Sequence, residues 1–128
     1  MARWADVLLM YAEAIVRNSA GAPAQPAIDA VNQVRTRAGL PNLTTIITRS
    51  KDAFLTALLA ERGHEFLYEG GRKIDLIRFN VYRKTLKAYK KTPSSQYFPL
   101  PQYAVDQATS AGKVLAQTYE RPDYGADN

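Results

Sequence analysis

Cysteine is absent from the 128 residues, which excludes a disulfide framework, a thiolate metal site and a cysteine nucleophile. The same absence leaves the redox compartment unread. Histidine occurs once, so Glu61-x-x-His64, the spacing of one quarter of a di-iron bundle site, has no second copy to complete it. No serine sits in a Gly-x-Ser-x-Gly elbow, and Gly70-Gly71 lacks the Lys-Ser/Thr that follows a phosphate-cradling loop. The residues therefore nominate no catalytic group, no cofactor site and no metal site, and His64 reads as a partly exposed helix residue. Long apolar runs are also missing. The longest extends from Val7 to Ala12, against the ~20 residues that span a bilayer. Arg3, the stretch Val7 to Val16 and Ala20-Gly21-Ala22 imitate a signal peptide. Asp6 and Glu13, however, place charges beside and inside the apolar segment, which marks an amphipathic helix instead.

What is present suits one globular domain. Hydrophobic residues make up 46% and charged residues 23% of the chain, and a domain of this length buries roughly two-thirds of its unfolded surface. The formal net charge of +5 permits an anionic partner without requiring one.

Apolar periodicity assigns helices to most of the first ninety or so residues. Trp4, Val7, Leu8, Tyr11 and Ile15 recur at helical spacing, with Arg3, Asp6, Glu13 and Arg17 off that stripe, predicting a helix from about Arg3 to Asn18. Ala27, Ile28, Val31, Val34 and Ala38 define a second helix, with Pro26 in its first turn and Gly39 and Pro41 at its stop. The two make an antiparallel hairpin. Residues 40–50 form a connector under which Ile46 and Ile47 should tuck, and Ser50 is the expected N-cap of a third helix running to Tyr68 or Glu69. Beyond Gly70-Gly71, residues 72–91 read as further helix, divided at Asn80. The fold class is all-α. The composition then divides the chain into a helical scaffold, residues 1–92, and an irregular Pro- and Tyr-containing tail, residues 93–128, packed on it. Within that tail only Tyr103 to Ala108 has helical character.

The third helix carries the informative conflict. Its apolar stripe starts at Leu55, Leu58 and Leu59 and continues into Arg62, Glu65, Phe66 and Glu69, so charges enter a face that should be buried. Buried charges need partners, because an unpaired one costs several kcal/mol. Arg35, Arg37, Glu61, Arg62, Glu65, Glu69, Arg72, Asp75 and Arg78 are the candidates for an ion-pair lattice that ties the helices together; the competing reading is a catalytic carboxylate pair with a cationic clamp. Between Arg72 and Lys91 eight basic residues face one acid, Asp75, with aromatics interleaved. That stretch reads as a solvated face whose lysine stems cover apolar surface, rather than as a specific nucleic-acid site.

A series of ordered blocks resembles the C-terminal part of the SusD/RagB family of surface nutrient-binding lipoproteins. Arg3-Trp4-Ala5-Asp6-Val7-Leu8-Leu9-Met10-Tyr11-Ala12-Glu13-Ala14 is similar to the family's "R-x-A-E-V-x-L-x-Y-A-E-A" helix, and Ala27 through Gly39 to its "A-I-x-x-V-N-x-V-R-x-R-A-G" segment. Glu61-Arg62 to Glu69-Gly70, followed by Arg72 to Phe79, resembles "E-R-x-x-E-F-x-x-E-G-x-R-x-x-D-L-x-R-W". Tyr97-Phe98-Pro99-Leu100-Pro101 resembles the closing "Y-x-L-P-I-P" turn, and Leu115 to Tyr124 a degenerate "L-x-Q-N-P-G-Y" end. Departures are the extra Gly71, Phe79 in place of Trp, and Thr118 where Asn is usual.

The resemblance implies a tetratricopeptide-like arrangement of helical hairpins, and Trp4, Val7 and Tyr11 stand at that repeat's first-helix spacing. It implies a non-enzymatic protein that holds an oligosaccharide or other nutrient at the extracellular face of the outer membrane and works with a TonB-dependent transporter of the SusC type. It also implies a fragment, since the family's signal, lipidated Cys and ligand-bearing N-terminal part have no counterpart here; no ligand-contacting residue transfers to these positions. The alternative from another class is a free-standing helical-hairpin module using its basic 72–91 face for an acidic partner.

Overall fold

The computed structural model describes residues 3–91 and 100–115, and among them the regular structure is entirely helical. In order the helices are α1 (Trp4–Asn18), α2 (Gln25–Arg37), α3 (Thr45–Thr48), α4 (Lys51–Glu65), α5 (Arg72–Arg78), α6 (Tyr82–Ala88) and α7 (Gln102–Ser110). The chain divides into two compact units, Met1–Asp75 and Leu76–Asn128.

In the first unit α1 packs on α2 and on α4. Arg3, at the start of α1, and Arg37, at the end of α2, reach the same carboxylate, Glu65, so the two helices are antiparallel. Lys51, the first residue of α4, donates from Nζ to the carbonyls of Arg17 (3.0 Å) and Ser19 (2.7 Å). One ammonium thus caps the C-terminal end of α1, where carbonyls lack helical partners and the dipole favours a cation. It also sets α4 antiparallel to α1.

The faces that meet differ from the expected ones. On α1 the buried positions are Ala5, Leu9, Ala12 and Val16, together with Glu13. The anticipated stripe is offset: Trp4 is 68% and Tyr11 51% exposed, Val7 is also exposed, and Leu8 and Ile15 are half-buried. Small residues decide this outcome. Ala5 and Ala12 on α1 and Ala27 and Ala30 on α2 are buried, and such side chains let backbones approach closely enough for Leu9, Val16, Val31 and Val34 to be fully enclosed. Phe54 and Leu58 complete the core from α4. Full burial of each such side chain contributes roughly 1.5–3 kcal/mol. Glu13, placed on the polar side by periodicity, is buried instead and holds Arg17 one turn later at 2.7 Å.

Helix ends follow local chemistry. Ser50 accepts from the Ala53 amide through Oγ (3.3 Å), the expected N-cap. Gly39 stops α2 at φ +74°, a left-handed conformation that costs glycine little. The connector between α2 and α4 contains the single turn α3, and Ile46 lies 78% exposed rather than tucked beneath it. Asn32 Oδ1 accepts from the Leu43 amide (2.9 Å) and Arg35 Nε donates to the Pro41 carbonyl (2.8 Å), so α2 itself pins the connector. Helix α4 ends at Glu65, three or four residues before the expected limit, because Tyr68 (φ +66°) and Gly70 (φ +81°) reverse the chain.

In the second unit Asn80, at φ +59°, separates α5 from α6 where a division was expected, and the Val81 amide closes the break on the Leu76 carbonyl (2.9 Å). Leu76 and Tyr82 are its buried side chains among the described residues. Helix α7 contains the expected Tyr103–Ala108 segment. The proposed boundary at 92/93 and the remainder of the expected wrap, residues 93–99 and 116–128, lie outside the described residues.

Candidate functional site

Arg35, Arg37, Glu61, Arg62, Glu65, Glu69, Arg72 and Asp75, among the charged residues singled out from sequence, meet along the C-terminal half of α4. Glu65, its carboxylate largely buried, accepts from Arg3 Nη1 (3.0 Å) through Oε1 and from Arg37 Nη2 through Oε2. Arg3 continues to Glu69, with Nη2 at 2.7 Å from Oε1, and donates from the same nitrogen to the Glu65 carbonyl (2.8 Å), an α4 carbonyl in the last turn. Phe66 is the apolar support of this cluster. The guanidinium carbons of Arg3 and Arg62 lie over its ring, 5.0 and 5.1 Å from the centroid, within the range of cation–π attraction.

Arg62 is the second node. It donates from Nη1 to Asp6 Oδ1 and from Nε to Asp75 Oδ2, each at 2.9 Å, so one guanidinium ties α1, α4 and α5 together. Arg's planar fork suits this bridging role in a way a lysine ammonium does not. A third link joins Arg35 Nη1 of α2 to Glu61 Oε2 of α4 at 2.6 Å, with the Glu61 side chain only 5% exposed. Arg35–Glu61 and Arg37–Glu65 step along two helices running in the same direction.

One residue of the anticipated set takes a different kind of acceptor. Arg72 donates from Nη1 to the Leu59 carbonyl (2.6 Å), a backbone acceptor rather than a carboxylate. Its guanidinium reaches that carbonyl by lying across Gly63, where a Cβ would stand 2.8 Å from Nη1. Arg78, in the second unit, has its guanidinium carbon 5.5 Å from the Phe79 ring centroid. Arg3 and Asp6 were not in the anticipated set although both are central to the cluster. Their signal was available: Arg3 and Asp6 open the same α1 block that carries the family resemblance, but nothing local says that an N-terminal Arg reaches residues more than sixty positions later.

Asp6, Glu61, Glu65, Glu69 and Asp75 each accept from a guanidinium, and every buried side-chain nitrogen or oxygen among the described residues has a hydrogen-bond partner. A general base needs a carboxylate open to a substrate proton; here the carboxylates are committed to arginine. The recess they border, between Arg3, Asp6, Arg62 and Glu69, has a volume of about 150 Å³, smaller than ordinary ligand pockets. His64 is exposed. Among the described residues no group of three or more His, Asp or Glu is placed to hold a metal ion, and no helix is long and apolar enough to cross a membrane.

An all-helical hairpin scaffold, braced by arginine–carboxylate links between sequence-distant helices, is the class that these features define. The chain belongs to the SusD family, whose sequence model matches residues 1–122. A SusD-like protein of Formosa agariphila is 39% identical over 84 residues, which cover 61% of this chain and 16% of that protein. The chain thus spans about a sixth of the length of the relative it matches. No solved structure gives a significant match.

Proposed function

We propose that the chain forms part of a SusD-like protein that binds a glycan or other nutrient at the extracellular face of the outer membrane and delivers it to a TonB-dependent transporter of the SusC type. Its own contribution is architectural rather than catalytic. The observation that carries this reading is the family match over residues 1–122, together with where the matching blocks meet. The Arg3–Asp6 block, the Arg35–Arg37 block and the Glu61–Asp75 block supply the partners of one ion-pair cluster. A sugar site needs convergent aromatic and polar groups around a concavity. In this cluster the carboxylates of Glu61, Glu65, Glu69 and Asp75 each take an arginine, and Arg72 takes the Leu59 carbonyl, which supports a structural role for Arg35, Arg37, Glu61, Arg62, Glu65, Glu69, Arg72 and Asp75.

The test is affinity purification of the complete product of the gene from its native membrane. Co-purification with a TonB-dependent transporter, and retention of an oligosaccharide by the pair, is the expected result. A product that purifies alone from the soluble fraction, with no transporter bound, would count against the proposal and favour the free-standing module.

A further inference from the structure

Helix α1 has two apolar faces, of which the fold uses one. At 100° per residue, Ala5, Leu9, Ala12 and Val16 form one arc, and Trp4, Leu8, Tyr11 and Ile15 form another about 100° away. The first arc is enclosed. In the second, Leu8 and Ile15 are half-buried, while Trp4 and Tyr11, the largest side chains of α1, are more than half exposed. An aromatic side chain buries roughly 150–250 Å² when covered, so these two, with Val7 and Met10 beside them, present an apolar patch on the order of a few hundred Å². The patch opens into a cavity of about 290 Å³ between α1 and α2, lined by Trp4, Leu8, Gln33, Val34 and Arg37. Arg37, one of the lining residues, gives Nη2 to Glu65 and is 59% exposed at its side chain.

We infer that this groove is the seat of an acidic amphipathic helix: apolar side chains at i, i+4, i+7 and i+11 cover Trp4, Leu8 and Tyr11, and a carboxylate near one end pairs with Arg37. The geometry selects a helix. The stripe from Trp4 to Ile15 is straight, three turns long and bounded by a second helix that supplies Gln33 and Arg37, the setting in which a third helix packs along a groove. The charge selects an acid, because the charged side chains that line the cavity, Arg3 and Arg37, are both arginine, whose fork matches a carboxylate. The relative that matches this chain has 84 residues in the match out of a chain about six times as long, so proteins of this family carry ample polypeptide to supply such a helix. This inference rests on the scaffold reading only in naming that source; the groove and its chemistry stand apart from it.

Trp4 is the sole tryptophan, so its fluorescence reports this groove and nothing else. The probe is a synthetic helical peptide of about 15 residues with leucine at i, i+4, i+7 and i+11 and glutamate at one end, compared with a scrambled peptide and with one carrying lysine for that glutamate. The 128-residue chain should show red-shifted, readily quenched emission when alone. Emission should shift to the blue with the acidic peptide and not with the scrambled one. Arg37→Gln, or lysine in place of the peptide's glutamate, should weaken binding about tenfold, while Lys113→Gln should not. No shift at millimolar peptide, equal binding of the scrambled peptide, or indifference to both charge changes would overturn the proposal. A concentration-dependent blue shift with dimer formation in the chain alone would overturn it too, in favour of a second copy as occupant.

Discussion

Substituting Arg35 by Met gives the sharpest view of how the scaffold is held. The Arg35–Glu61 link joins α2 to α4 at 2.6 Å, and the side chains are 20% and 5% exposed. At an effective dielectric of about 20, opposite unit charges about 4 Å apart attract by roughly 4 kcal/mol, while each ion loses several kcal/mol of hydration on burial. The intact pair is therefore close to balanced, and the cost of breaking it depends on which partner remains. Arg35→Met leaves the Glu61 carboxylate nearly dry without its guanidinium and also removes the bond to the Pro41 carbonyl; the expected loss is about 3–5 kcal/mol. Glu61→Leu leaves Arg35 more accessible and still bonded to Pro41, so about 1–2 kcal/mol is expected. The double variant removes both charges and should sit within about 1 kcal/mol of the original, giving a coupling energy of about 3 kcal/mol or more. Urea titrations of the four proteins, followed by helical circular dichroism, measure this directly. Additivity within about 0.5 kcal/mol, or an Arg35→Met cost below about 1 kcal/mol, would refute the reasoning.

Other substitutions test neighbouring features. Glu65→Ala should cost only about 1–2 kcal/mol in the same titration, because Arg3 keeps Glu69 and the Arg37 guanidinium is mostly exposed to water. Gly63→Ala should be nearly neutral, since the helix-propensity gain of about 1 kcal/mol is offset when the new Cβ displaces Arg72 from the Leu59 carbonyl; combined with Arg72→Ala, the same change should stabilise by about 1 kcal/mol. Ser50→Ala should destabilise α4 by about 0.5–1 kcal/mol, the lower half of the usual cap range, given the long 3.3 Å bond to Ala53. Thermal unfolding of each variant provides an independent check on these three.

Element type was legible where the local signals agree. Ser50 before the α4 pattern, Pro26 inside the first turn of α2, Gly39 after its last turn and Asn80 between two short helices each carry a stereochemical reason that acts within a few residues. The burial of α1 was misread because hydrophobicity weighs Trp4, Val7 and Tyr11 above Ala5 and Ala12, whereas close helix packing rewards the alanines. On α4 the expected Leu58 and Leu59 are buried, but Phe54 and Glu61 share that side while Leu55 is only half-buried. For the charge cluster, the conflict between apolar period and charged residues pointed to α4, whose Glu61, Arg62 and Glu65 each hold an oppositely charged partner. The identity of the partners is a matter of tertiary arrangement: Arg3 and Asp6 join from across the fold, and Arg72 finds a carbonyl because Gly63 leaves room for it.

The most direct test of the central claim, that these residues build a scaffold and not a ligand site, is calorimetry of the 128-residue chain against a panel of neutral oligosaccharides. The account predicts no saturable heat, since the carboxylates of the charged cluster are paired with arginines and its recess, about 150 Å³, is smaller than an ordinary ligand pocket. Saturable binding that is abolished by Arg62→Met in a still-folded variant would contradict it.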